Sequence, residues 1–397
     1  MMRILYVTSG LPYPLTSGRL RHYFLIRGLA ERHEVTLIVL DAQAVEPEHV
    51  REMERFATVR LESEEGSSGR ARMALGIAEG ATRRVATYAQ GLFAADAADA
   101  LVLAGRNPYP LFRTLRGTLP ILYDLCDARS LHMARKITFA PTLEKPAIAL
   151  RYLLSRWRER AAVTSAGAVM FASPRDRRAV MGRMAPQDGR AVIVPNGVDV
   201  DYWRRSSRRL GREIVFTGAM DYGPNTDAAI HLVDVILPLV HRELPDVRLR
   251  IVGRDPTDSL RERGSRTGVT VTGFVDDVRP HLEVAAVFAA PLRYGAGIQN
   301  KLLEAMAMEV PCVVSPLAAA GLEVEGGALP PLEVAQQPER FAASVVKALR
   351  AAEEDPVPQL TVRGYVERHF SWPAAVSKLE AVLSGLVPAH NDQRSPS

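Results

Sequence analysis

Two cysteines, Cys126 and Cys312, are all that 397 residues contain, and they stand far apart without metal-ligand spacing. So few thiols argue against a disulfide framework, give no support to a zinc site, and point to a reducing compartment. No apolar run approaches the roughly 18 residues that a membrane-spanning helix needs. The start, Met1-Met2-Arg3-Ile4-Leu5-Tyr6-Val7, passes straight into a strand-like run, without the apolar core and cleavage site of a secretion leader. Cytoplasmic residence is the expectation. Aromatic residues make up 6%, and nowhere do they interleave with basic ones as in RNA-binding modules, so no nucleic-acid partner is expected.

The composition is otherwise that of a globular protein, 47% hydrophobic and 24% charged. The chain is too long for one ordinary core and suits two domains. Its net charge of +5 has local origins. Arg151, Arg156, Arg158 and Arg160 share a helix-like stretch with Tyr152, Leu153, Leu154 and Trp157, and Arg204, Arg205, Arg208, Arg209 and Arg212 lie in an apparent linker. The first group is either a solvated helix face or a basic, aromatic-containing surface for anionic lipid. The second alternative implies peripheral contact with the inner membrane face.

Short β-branched runs alternate with amphipathic stretches, the pattern of parallel sheets covered by helices. Strands are expected at residues 4–8, 34–40, 58–61, 100–103, 120–124, 168–171 and 191–194. They resume at 213–217, 248–252, 269–272, 287–290 and 312–315. Helices are expected at 18–32, 227–244, 300–308 and 338–351, and one more begins at Pro373. The alternation pauses at Pro195-Asn196-Gly197 and the arginine-rich stretch. Two Rossmann-like α/β domains, 1–196 and 211–369, are the simplest account, with 388–397 a disordered tail. Ligands of open parallel sheets bind at the carboxyl ends of strands, so two such sheets would face a central cleft lined by loops that follow strands.

The most informative of these loops is Pro291-Leu292-Arg293-Tyr294-Gly295-Ala296-Gly297-Ile298-Gln299-Asn300-Lys301-Leu302-Leu303-Glu304-Ala305-Met306-Ala307. Gly295 and Gly297 let backbone approach a ligand closely, and free amides over Gly297, Ile298, Gln299 and Asn300 at a helix start attract phosphate oxygens. Lys301 adds a full charge within the first turn. Glu304, three positions on, is suited to accept hydrogen bonds from ribose hydroxyls. The spacing fits a nucleoside diphosphate; a glycine turn followed by a solvated Lys–Glu pair is the structural alternative.

With this segment the chain resembles the retaining glycosyltransferases of GT-B fold usually called family 4, whose donor loop ends in a Gly-rich run, a Lys and Leu-Glu-Ala-Met-Ala. Pro195-Asn196-Gly197-Val198-Asp199 resembles the element that closes their first domain. Phe216-Thr217-Gly218, Ile251-Val252-Gly253 and Thr272-Gly273-Phe274-Val275 resemble their donor-side loops. The resemblance places Gly273, Phe274 and Val275 against the nucleotide base and Gly218 and Asn225 beside the donor. It makes Phe370-Ser371-Trp372 the start of a last helix, about 371–387, that packs back on the first domain. A bacterial exopolysaccharide-associated subgroup is similar more loosely. The implied reaction is transfer from a nucleotide diphosphate sugar to a hydroxyl of a saccharide or lipid-linked acceptor, with retention, no cofactor and no metal.

Two departures stand out. Ala296 occupies a position where many members have Glu. Ala219-Met220-Asp221-Tyr222-Gly223-Pro224-Asn225 lacks the Arg and Lys that many place after the strand ending at Gly218, leaving Lys301 the clearest cation and Arg293 a weaker one. In the first domain the resemblance puts Gly18 beside the donor phosphates and the acceptor, and Arg21 at a recurrent basic position, a phosphate or acceptor contact or else a surface arginine. Asp127 either orients a sugar or acceptor hydroxyl or caps a helix. Glu159 matches a subgroup position or forms an intrahelical ion pair, and His22 reads as a helix-face residue. Asp199-Val200-Asp201 has the spacing of a metal-binding pair but sits at the linker, away from the donor loops. A nucleotide-sugar 2-epimerase and a non-catalytic nucleotide-sugar-binding protein are the competing functions.

Overall fold

The structure, a computed structural model, describes residues 1–15, 19–42, 45–63, 80–105, 108–182, 189–206, 212–295, 297–326, 330–354 and 360–387. Gly18, Ala296, the 207–211 part of the linker and the tail 388–397 lie outside the described residues. Among the described residues, thirteen parallel strands form two sheets. The first comprises β1 (Arg3–Thr8), β2 (Glu34–Val39), β3 (Thr58–Leu61), β4 (Ala100–Ala104), β5 (Ile121–Cys126), β6 (Ala168–Phe171) and β7 (Ala191–Ile193), in the order β3-β2-β1-β4-β5-β6-β7. The second comprises β8 (Glu213–Thr217), β9 (Arg248–Val252), β10 (Val269–Val271), β11 (Val287–Ala290), β12 (Cys312–Val314) and β13 (Glu333–Val334), in the order β10-β9-β8-β11-β12-β13.

The central strands read as unbroken apolar runs because both faces are covered. β4, β6, β8 and β11 are buried at every residue. Each sheet reverses its winding once, between β1 and β4 and between β8 and β11, and a crevice opens there at the carboxyl ends of the strands. The loops after β1, β4, β8 and β11 are therefore the ones topology assigns to a ligand, with the loop after β5 next to them.

The helix Trp372–Leu386 leaves the second sheet and joins the core of the first. Trp372, Ala375, Val376, Leu379 and Leu383 are buried among Ile4, Tyr23, Leu25 and Leu37. The Trp372 ring stacks on Phe24 with centroids 4.8 Å apart. Gly28 permits the close crossing, since a Cβ there would lie 2.5 Å from Val376 Cγ2. The chain thus crosses between the sheets twice, near Gly197 and at Ser371, and the two crossings touch through the Val198–Ser371 bridge.

Candidate active site

The loop after β11 behaves as its glycines require. Gly295 and Gly297 have φ of 127° and 78°, a region that side chains rarely enter. The helix Asn300–Ala307 follows, and no side chain caps its N-terminus. Ile298 is buried in the second core and anchors the loop to the sheet. Lys301 lies half-buried in the first turn, its ammonium donating to Asn225 Oδ1 and standing 5.0 Å above the Phe216 ring. Dehydration drives its pKa down to about 7, against a partial lift from Glu304. Glu304, on the same face, is pushed up to about 7 by dehydration, with Lys301 holding it down.

Asn225 is itself buried, its Nδ2 donating to the Ala219 carbonyl at 2.9 Å and its amide packed on Gly218. It thereby holds both Lys301 and the loop after β8. Phe274 is 71% exposed, an aromatic face open to solvent beyond β10. Gly273 beside it, at φ 73°, has open space where a side chain would be. Val275 packs against the second core.

Asp127 reaches this loop from the other domain. A Cβ on Gly297 would lie 2.3 Å from Asp127 Oδ1, so the carboxylate rests directly on the glycine backbone. Asp127 is not a helix cap. The helix Arg129–Phe139 has Ala128 at its N-cap, and two carboxylates from elsewhere satisfy its amides. Asp176 Oδ1 accepts from Ala128 N–H at 3.0 Å and Glu159 Oε1 from Ser130 N–H at 2.9 Å. Glu159 is therefore a buried capping group rather than half of an intrahelical pair, and the Asp127 carboxylate stays in the cleft. Dehydration between the cleft walls, then Asp176 nearby, pushes it up to about 7. Its own surface is open to the cleft, and water there moderates the rise.

Arg21 does not face a ligand. It is 3% exposed, and its guanidinium donates to Asp124 Oδ2 at 2.8 Å, Asp124 Oδ1 at 3.3 Å, the Val194 carbonyl at 2.8 Å and Asn196 Oδ1 at 3.1 Å. The expectation of a phosphate or acceptor contact is replaced by a buried tie between the ends of β5 and β7. His22 is kept neutral, its pKa pushed down to about 4 by burial, and its Nδ1 shares a hydrogen bond with the Tyr6 hydroxyl at 3.0 Å. Arg293 is occupied by Asp227. Asp199 Oδ1 receives the N–H groups of Asp201 and Tyr202 at 3.2 and 3.0 Å, the work of a turn cap.

Several contacts across the cleft involve residues that sequence reasoning passed over. Arg135 Nη1 donates to the Gly295 carbonyl at 2.6 Å and Arg175 Nη1 to the Leu317 carbonyl at 3.1 Å. Asn196 Nδ2 donates to Asn300 Oδ1 at 3.0 Å, so Asn300 links the domains. Arg178 forks onto the Glu323 carboxylate at 2.8 and 2.6 Å. The glycine loop after β11, Lys301, Glu304 and Asp127 are thus brought together; Arg21 is not among them.

Residues 211–351 match the family described as "Glycosyl transferases group 1". Phosphatidyl-myo-inositol mannosyltransferase of Mycobacterium tuberculosis is 31% identical over 204 residues, 48% of this chain and 53% of that protein. The chain therefore spans about half the length of the curated relatives it matches. Among solved structures, sucrose-phosphate synthase from Thermosynechococcus elongatus superposes with a TM-score of 0.68 at 17% identity, covering 97% of this chain and 99% of that one. Anabaena HepE in complex with UDP and glucose superposes at 0.65 and 13% identity, covering 97% and 100%. At these identities the likeness is one of fold, and the fold is GT-B.

Proposed function

We propose that this chain, a GT-B protein whose second domain carries the glycosyl transferases group 1 match, transfers a hexosyl unit from a nucleoside diphosphate sugar to a hydroxyl acceptor with retention. One observation carries the reading. At the winding reversal of the second sheet, a glycine loop rests against a carboxylate from the opposite domain and leads into an uncapped helix start whose first turn carries a dehydrated lysine. A diphosphate lies on the amides of Gly297 to Lys301, ribose hydroxyls donate to Glu304, and the base meets Phe274 and Gly273. The sugar then lies beside the contact between Gly297 and Asp127, whose carboxylate orients its hydroxyls or the acceptor.

As the glycosidic bond breaks, charge grows on the departing phosphate while the sugar becomes oxocarbenium-like. Fixed amides and the Lys301 ammonium stabilise that charge without reorganising, each well-placed donor contributing about 3 kcal/mol. The leaving phosphate oxygen takes the acceptor proton, so no separate base and no metal ion are required. The mannosyltransferase relative favours a mannosyl donor.

No helix among the described residues is long and apolar enough to cross a membrane. The helix Lys145–Ser165 nonetheless exposes Leu150, Leu153 and Trp157 beside Arg151, Arg156 and Arg160, and Leu143 just ahead of it is fully open. This surface supports a cytoplasmic enzyme resting on anionic lipid, with a lipid-linked acceptor in glycoconjugate or polysaccharide assembly. Kinetics with UDP- and GDP-hexoses test the donor site. Lys301→Ala is expected to cut turnover at least tenfold, and Glu304→Ala mainly to raise the donor KM. Unchanged constants in both would remove the assignment.

A further inference from the structure

The segment after β8, Gly218 to Asn225, contains no lysine or arginine, so the second domain alone offers a diphosphate little beyond Lys301. The first domain brings two more cations to the same place. Arg135 holds the carbonyl of Gly295, two residues before Gly297. Arg175 holds the carbonyl of Leu317, whose segment packs on the other side of the glycine; a Cβ on Gly321 would lie 2.7 Å from the Gly297 carbonyl oxygen. The two guanidinium groups therefore hold, from the first domain, the two segments that meet at Gly297.

Among the described residues, neither has a carboxylate at ion-pair distance. Asp176, the acidic group whose charge acts on both, is occupied by Ala128 N–H and by the Ser173 hydroxyl at 2.6 Å. Each half-buried guanidinium presents five N–H donors in a rigid fork, and a carbonyl takes little of that capacity. Dehydration first, and then Arg175, brings the Arg135 pKa down to about 10; Arg175 is lowered by dehydration first and then by Arg178. Like charges held this close are relieved by an anion between them.

We propose that Arg135 and Arg175 supply, from the first domain, the cationic share of the donor diphosphate site that the second domain lacks. The inference rests on the donor site proposed above. It makes leaving-group stabilisation depend on closure, because the cations arrive only when the two domains meet. A donor bound to an open cleft would keep its glycosidic bond until the first domain closes over it, which limits wasteful hydrolysis.

Calorimetric titration of wild type, Arg135→Ala, Arg135→Lys and Arg175→Ala with a nucleoside diphosphate and the matching monophosphate tests this. Loss of a charge-assisted contact should weaken the diphosphate roughly ten- to a hundredfold and the monophosphate roughly threefold or less. Arg135→Lys should recover part of the loss. Equal weakening of both nucleotides would mean that the arginines only hold the domains together, and would overturn the proposal. Unchanged nucleotide affinity with a raised acceptor KM would overturn it too, by giving the site to an anionic acceptor. Melting temperatures confirm folding, and Arg175→Ala and Arg135→Lys each decide the matter should Arg135→Ala fail to fold. Wild type that binds no nucleotide would instead refute the donor site itself.

Discussion

Replacing Lys301 by methionine should make the empty protein more stable while it destroys the response to nucleotide. The pKa of Lys301 falls from 10.5 to about 7 in the fold, chiefly by dehydration. At ~1.4 kcal/mol for each tenfold change in proton affinity, that fall sets a ceiling of about 5 kcal/mol on the burden of keeping the charge there. Two contacts offset it, the hydrogen bond to Asn225 Oδ1 and the position over the Phe216 ring. An Asn225 oxygen left without a donor costs ~1–3 kcal/mol, and the lost ring contact ~0.5–2 kcal/mol. The net gain for Lys301→Met is about 1 kcal/mol, a rise of ~2–4 °C for a domain of this size. A lysine with a depressed folded pKa destabilises fully below that pKa, and the burden fades as pH climbs toward 10.5. The gain is therefore clearest near pH 6, where Glu304, titrating at about 7, is also largely protonated. Melting curves would be recorded with and without nucleoside diphosphate. Wild type at a ligand concentration 100 times Kd should gain ~2.7 kcal/mol, and the variant almost none. A variant that melts lower than wild type without ligand, or that keeps its full ligand-induced shift, would refute the reasoning.

Nucleoside diphosphate affinity, measured by calorimetry across pH, should fall up to ~tenfold per pH unit above about 7, as Lys301 loses the proton that binding demands; the Lys301→Met variant should lose that slope. Arg21→Met should cost about 3–5 kcal/mol in chemical denaturation because it leaves the Asp124 carboxylate buried and unpaired. The Arg21→Met, Asp124→Asn pair should recover part of that loss. Gly297→Ala should cost ~1–2 kcal/mol for its positive φ and also press the new Cβ onto Asp127. Turnover is expected to drop at least tenfold. Asp127→Ala in the same chain should relieve only the contact, which a double-mutant cycle on nucleotide affinity would resolve.

The sheets were readable where their strands are buried on both faces. Residues 168–171, 213–217 and 287–290 match β6, β8 and β11 to the residue, because burial on both faces leaves an apolar run, while 58–61 and 248–252 match β3 and β9 although those strands are partly exposed. The two-residue strand β13 has exposed ends and no pattern to read. The donor loop was legible because its glycines, lysine and glutamate are contiguous. What escaped was whatever depends on distant partners. Arg21 looks alike in sequence whether it faces a phosphate or a buried carboxylate, and its partner Asp124 lies 103 residues away. That Asp127 is not the cap follows from Asp176, 48 residues beyond the amide it caps. Arg135 meets the donor loop 160 residues along the chain, and a helix surface with several arginines does not mark which one crosses the cleft.

Calorimetric titration of the wild-type protein with UDP and GDP, in the presence and absence of EDTA, tests the donor site most directly. The account predicts that one of the two binds at a single site, with an affinity EDTA leaves unchanged and Lys301→Met sharply weakens. Failure of both nucleotides to bind, or binding that EDTA eliminates, would contradict it.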